Sequence, residues 1–392
     1  MSRLPTGSLL LPFAVAAVAA ALPAISAGTA PKEVRWKKTV LDTEFRAEGA
    51  SAADINRDDK LDIFAGNVWY EAPDWKRHEI RPPQKFEPAT GYSNCFLSFA
   101  GDFDRDGWAD QLVVGFPGEK SVWFRNPGKS GGEWTEHLVT ESACNETPIW
   151  ADLDGDRKPE LVSPFKEERM AFYRPGSTPQ SGWQQHLIGG LKEPGCNRFS
   201  HGLGVGDVNG DKRPDILCKD GYYEQPADRS AERWKFVPAK LGPDCATMYT
   251  YDFDGDGDMD VFSSSAHAIG VWWYEQRQGA NGPEFVQHTI DDTFSQSHSV
   301  QMVDINGDRQ PDFVTGKRWW AHGPNGDVNP NDPAVLYWFE FRRKDGKVEW
   351  TRHEIDRDSG VGTQFTAIDM NRDRRPDLVI SNKKGVFLFE QQ

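Results

Sequence analysis

Asp102-Phe-Asp104-Arg-Asp106-Gly-Trp-Ala-Asp110 is an acidic turn that this 392-residue chain writes seven times. The other copies are Asp54, Asn56, Asp58 and Asp62; Asp152, Asp154, Asp156 and Glu160; Asp207, Asn209, Asp211 and Asp215; Asp252, Asp254, Asp256 and Asp260; Asp304, Asn306, Asp308 and Asp312; and Asp369, Asn371, Asp373 and Asp377. Each sets oxygen-bearing side chains at positions one, three and five and a further carboxylate at position nine. Alternate residues of a tight turn point inward, which suits a hard cation that takes six to eight oxygen ligands, so calcium is the expected structural ion. An EF-hand is excluded, because its bidentate Glu at position twelve is replaced by Ala65, Val113 and their equivalents.

Working outward, each loop is followed by a short β-branched run such as Asp62-Ile-Phe, Gln111-Leu-Val-Val or Asp377-Leu-Val-Ile, and preceded by another, so the loop reads as a hairpin between two strands. A third, aromatic strand comes next (Val68-Trp-Tyr-Glu71, Val271-Trp-Trp-Tyr-Glu275, Tyr337-Trp-Phe-Glu340). A fourth carries an aromatic and, three residues on, a histidine: Trp75 to His78, Trp134 to His137, Trp183 to His186, Phe285 to His288 and Trp350 to His353. Four strands per repeat describe an all-β, seven-bladed β-propeller. The last repeat stops at its third strand, Gly385-Val-Phe-Leu-Phe-Glu390, and Val34-Arg-Trp36-Lys-Lys-Thr-Val-Leu41 matches a fourth strand with no repeat before it. The N-terminal strand is therefore expected to complete the last blade and leave no open sheet edge.

Residues 1–30, with Arg3, the Ala/Leu/Val stretch Leu9 to Leu22 and the small residues from Ser26 to Ala30, read as a secretory signal. Residues 31–392 are then the propeller, secreted or periplasmic, with no membrane segment once the signal is removed. The net charge of −15 argues against nucleic acid as a partner, although seven divalent ions would bring it close to neutral. Of the five cysteines, Cys95, Cys144, Cys196 and Cys245 precede first strands and Cys218 lies on a second strand. They read as buried free thiols, with disulfides between neighbouring blades as the alternative. Oligomeric state has no sequence signature here.

The nine histidines fall into two groups. Five occupy the repeated fourth-strand position and read as scaffold shared between blades. The other four do not repeat: His201 and His298 precede first strands, and His267 and His322 follow second strands. Both locations lie on the face opposite the acidic loops, so the four should converge on a pocket over the central channel. Lys317, Arg318, Trp319 and Trp320 stand beside them, before an insertion that holds Asp327. Asn94, Glu146, Asn197, Arg198, Tyr249 and Gln364 are placed by the same topology as further substrate contacts. Three neutral imidazoles with an open coordination position suit zinc or a similar divalent ion. His201, His267, His298 and His322 are the candidate ligands.

On the acidic loops the chain resembles FG-GAP or VCBS-type repeat propellers over nearly its whole mature length. Ser295-Gln-Ser-His298, Thr315-Gly-Lys-Arg318 and His322 are similar to the propeller domain of the aldos-2-ulose dehydratase/isomerase family, whose cupin domains this chain lacks. That resemblance implies dehydration of a keto sugar such as 1,5-anhydrofructose, a hydro-lyase reaction, and catalytic roles for His201, His298, Lys317, Arg318 and His322. The general acid and base stay open among Glu146, Tyr249, Asp327 and an unligated histidine. Two other readings stand beside it: a non-enzymatic propeller that binds glycan or protein, with Trp319 and Trp320 as contacts, and a polysaccharide lyase.

Overall fold

In a computed structural model the described residues are 33–176, 178, 181–228, 231–280 and 282–392. The segment read as a signal, 1–30, lies outside them. No helix among the described residues is long and apolar enough to cross a membrane.

Seven antiparallel four-stranded sheets are present, and six of them take their strands in simple chain order. First strands run Ser51–Ala53, Leu97–Gly101, Ile149–Ala151, Leu203–Gly206, Tyr249–Tyr251, Val300–Val303 and Phe365–Ile368 for blades one to seven. In blade seven the fourth strand comes from the other end of the chain. Trp36–Asp42 pairs antiparallel with Gly385–Gln391, Trp36 opposite Gln391 and Asp42 opposite Val386. Second strands are buried along their whole length and apolar after their first residues, as in Asp62–Ala65 and Asp110–Val114, because each is covered on both faces by neighbouring blades. Aromatic pairs join the blades: Phe64 meets Trp134, Phe103 meets Trp183 and Phe253 meets Trp350, all edge-on at 5.4–5.9 Å.

The repeated histidines belong to single blades rather than being shared between them. Cross-strand register sets His78 opposite Trp69, His137 opposite Trp123, His186 opposite Phe172, His288 opposite Trp273 and His353 opposite Trp338. Each imidazole stacks on that partner at 4.2–4.7 Å. Directly opposed residues on one face of an antiparallel pair lie closer than any residue of the next blade, which is why the partner is internal.

The seven acidic loops share one backbone conformation. Positions four and six are left-handed in all of them, from Arg57 and Asp59 in the first to Arg372 and Arg374 in the last. In five of them the position-one carboxylate accepts backbone N–H groups from positions five and six, as Asp102 does from Asp106 and Gly107, whereas Asp152 and Asp252 accept from position four. The position-nine carboxylate is buried and fastens the loop to the end of the third strand. Asp110 accepts Phe103 N–H and Asn126 N–H, and Asp312 accepts Ile305 N–H and Phe341 N–H. All five cysteines are buried and free.

Candidate metal centre

Seven segments leading into first strands or out of second strands meet on the face opposite the acidic loops. Blade one brings Glu48, blade two Tyr92, blade three Glu146, blade four His201 and blade five His267. Blade six brings His298, Arg318 and His322, and blade seven brings Lys383. Tyr92, Phe96, Phe116, Glu146, Phe199, His201, His267 and His322 line a cavity of about 360 Å³.

Three of these, Glu146, His201 and His267, stand beside the fully buried His298, and one donor atom from each of the four lies within 4.8 Å of the others. His201 Nε2 is 2.6 Å from His267 Nε2, while Glu146 Oε2 is 3.4 Å from His201 Nε2 and 3.3 Å from His298 Nε2. Donors that share one ion at about 2.0–2.2 Å stand roughly 3 Å apart, so this set fits zinc or a similar divalent ion. His298 is fully buried, and burial together with the Arg318 guanidinium pushes it well below the ordinary imidazole value, leaving a neutral ring suited to ligation. Burial lowers His267 in the same sense. Burial opposes ionisation of Glu146, yet its hydrogen bonds with His201 and His298 hold it well below the usual carboxylate range.

Outer partners fix these groups. His267 Nδ1 is 3.3 Å from Asp327 Oδ1, the carboxylate support commonly found behind a ligating imidazole. The same carboxylate lies 2.9 Å from His322 Nδ1 through each of its oxygens. Burial opposes the ionisation of Asp327, but these two histidines hold it well below its ordinary value. Arg318 donates to Glu48 at 2.7 Å and to Glu146 at 3.5 Å. Lys383 is buried against the Tyr92 ring, its Nζ 4.6 Å from the centroid, and burial pulls it down to about 8.

The sequence-derived candidates separate on these coordinates. Glu146, His201, His267 and His298 form the four-donor cluster, and His322 stands outside it, paired with Asp327. Glu146, placed among the substrate contacts from sequence, lies within 3.3–3.4 Å of two imidazoles, where it could also serve as a ligand. Lys317 is buried and donates to Ser295 Oγ and to Asn329 O, which pins the insertion. Trp319 and Trp320 stack on each other at 3.8 Å, with Lys384 over Trp319, and neither lines the cavity. Tyr249 donates to Val300 O, and Gln364 is bonded to Ala50 O and Ser98 N–H; both line a separate cavity of about 290 Å³ walled by first strands. Asn94 and Asn197 are exposed, and Arg198 lies over Phe116 and Phe199 at the rim. Glu48, Tyr92 and Lys383, together with the aromatic wall, carry no repeated signal and were not singled out from sequence.

A family model described as an FG-GAP-like repeat matches residues 102–163 and 252–315. These two segments are FG-GAP-like repeats. Each match opens on the first aspartate of an acidic loop and takes in the second strand that follows it. No curated protein matches the chain. Among solved structures, BBS1N in its complex with ARL6DN is similar over 91% of this chain and 96% of its own, at 9% identity and a TM-score of 0.52, a likeness of fold alone. An Agrocybe aegerita lectin specific for non-reducing terminal N-acetylglucosamine (14% identity, TM-score 0.44, 83% of this chain and 81% of its own) is also similar. So is the rhamnogalacturonan lyase YesW (14%, 0.44, 92% and 73%).

Proposed function

We propose that this is an exported propeller that dehydrates a keto sugar at a divalent metal centre held by Glu146, His201, His267 and His298, with calcium in the acidic loops as structural ions. The convergence of three imidazoles and one carboxylate, all but His298 lining the cavity, carries the reading. When bound, zinc or a similar ion supplies a Lewis acid that polarises the carbonyl of the sugar. His322, whose Nδ1 is tied to Asp327, keeps Nε2 free for the proton on the carbon next to that carbonyl. Arg318 donates to Glu146 and helps to fix that carboxylate. Phe116 and Phe199, 5.8 Å apart at the rim, offer apolar faces to the C–H side of a sugar ring.

The aromatic rim would serve a glycan-binding propeller equally well, so the test separates the two readings. Metal content by mass spectrometry should give about one transition-metal ion per chain in the native protein and none in His267→Ala/His298→Ala, with calcium unchanged. The native protein should convert 1,5-anhydrofructose to an enone, followed by its ultraviolet absorption. Calcium alone in both proteins and no enone would move the function to glycan binding. Retention of glycan by the double variant would then be the confirming result.

A further inference from the structure

Tyr92 stands on the same cavity wall as His322, their ring centroids 6.4 Å apart and their planes at 75°. Its ring is held on several sides: Phe116 at 5.3 Å, Phe96 at 5.9 Å and the Lys383 ammonium over one face. The hydroxyl is left open. Among the described residues it has no hydrogen-bond partner, and Tyr92 lines the same cavity as Glu146, His201, His267 and His322. An ordinary phenol, which titrates at about 10, carries its proton at neutral pH.

We propose that Tyr92 is the proton donor to the departing hydroxyl, and that its place beside His322 makes the elimination syn. This rests on the keto-sugar reading above and assigns the acid that reading lacks. His322 Nε2 takes the proton from the carbon next to the carbonyl, and the C–H electron pair passes into the enolate. The enolate pair then forms the carbon–carbon double bond and expels the β-hydroxyl, which takes the Tyr92 proton and leaves as water. Solvent carries the proton from His322 back to the phenolate, so substrate loses one water and the protein is unchanged.

The placement of the two rings favours syn over anti elimination. An anti elimination would need base and acid on opposite faces of the sugar. A ring between Tyr92 and His322 would require two van der Waals gaps of about 3.5 Å each, roughly 7 Å or more between facing surfaces. The two side chains touch edge to face in the lining of one cavity, an arrangement that suits both to one face of the substrate. The site therefore selects sugars whose α-hydrogen and β-hydroxyl are cis. 1,5-Anhydrofructose, with its C3 hydrogen and C4 hydroxyl on one face, qualifies; its C4 epimer does not.

The experiment follows native protein and Tyr92→Phe by NMR in D2O with both epimers, after metal analysis has established equal metal content. Native protein should dehydrate 1,5-anhydrofructose and leave the C4 epimer intact. Tyr92→Phe should lose dehydration by about 10²–10⁴-fold while still exchanging the C3 hydrogen for deuterium, since exchange needs only His322. A 4-fluoro analogue, whose fluoride leaves without a proton, should restore elimination in the variant. Loss of exchange together with elimination in Tyr92→Phe, or equal turnover of the two epimers, overturns the assignment. Native protein that neither exchanges nor eliminates with either sugar overturns the keto-sugar reading itself, and the role of Tyr92 with it.

Discussion

Arg318 balances the charge of the centre. It is buried between two buried carboxylates, donating to Glu48 at 2.7 Å and to Glu146 at 3.5 Å, and those carboxylates hold it charged against the cost of its burial. Removing one partner of a buried ion pair costs about 3–5 kcal/mol, because the other charge stays behind uncompensated. Arg318→Met should therefore lower stability by about that much in urea melts, more than any exposed arginine would. A change within 0.5 kcal/mol, the range of ordinary surface substitutions, would show that the pair is solvated. Arg318 and the four non-repeated histidines were legible in sequence because they break a pattern that the rest of the chain keeps. Tyr92 and Glu48 break nothing: they sit in irregular segments before first strands, where no periodicity says what an aromatic or an acid is for. Lys383 reads as an ordinary turn lysine until the insertion around Ala321 is folded over it.

At the scale of the element, the acidic loop is a hairpin with two jobs in conflict. Its ninth residue is buried deeply enough that burial raises Asp62, Asp215 and Asp377 to about 6, Asp260 and Asp312 to about 7 and Asp110 to about 8. Ordinary aspartate in an unfolded chain titrates near 3.9. The folded protein thus holds these protons more tightly, and the stability they contribute is present at low pH and lost as pH rises through 6 to 8. In chelator the melting temperature should fall between pH 5 and pH 8. Calcium requires the ionised form, so millimolar calcium should flatten or reverse that slope. Melts that are level with pH in chelator and indifferent to calcium would sink both expectations. The spacing of the acids made these hairpins legible without structure, and even the departure at Asp59 leaves the turn intact, since Asp59 takes the left-handed conformation that Gly107 takes in the second loop. Only the loops of blades two, three and five form all-carboxylate clusters, because the other four carry Asn at position three. The partnering of the repeated histidines was less legible. A sequence period locates a residue on a strand, but not whether its neighbour belongs to its own blade or the next.

For the molecule as a whole, closure by Trp36–Asp42 is what turns seven sheets into a ring. A chain begun at Thr43 would leave Gly385–Gln391, with Val386, Phe387, Leu388 and Phe389, as an open apolar edge. Such edges template pairing between molecules. The shortened chain should elute as higher oligomers by size exclusion with light scattering, and a peptide of residues 34–42 added during refolding should recover monomer. Monomeric elution of the shortened chain without peptide would show that the ring closes by inter-blade packing alone.

The same closure governs when the Arg318–Glu48 pair can form. Glu48 and Lys383 come from blades one and seven, and the bond between Arg318 and Glu48 joins residues 270 apart in sequence. A ribosome delivers Glu48 almost at the start and Lys383 almost at the end. Until the last strand has emerged and met the first, the ring that sets Glu48 against Arg318 is not closed, although the four donors themselves belong to blades three to six. Any product cut short during synthesis thereby lacks the Arg318–Glu48 pair, whatever blades it has managed to fold, so that buried ion pair becomes a mark of a finished chain.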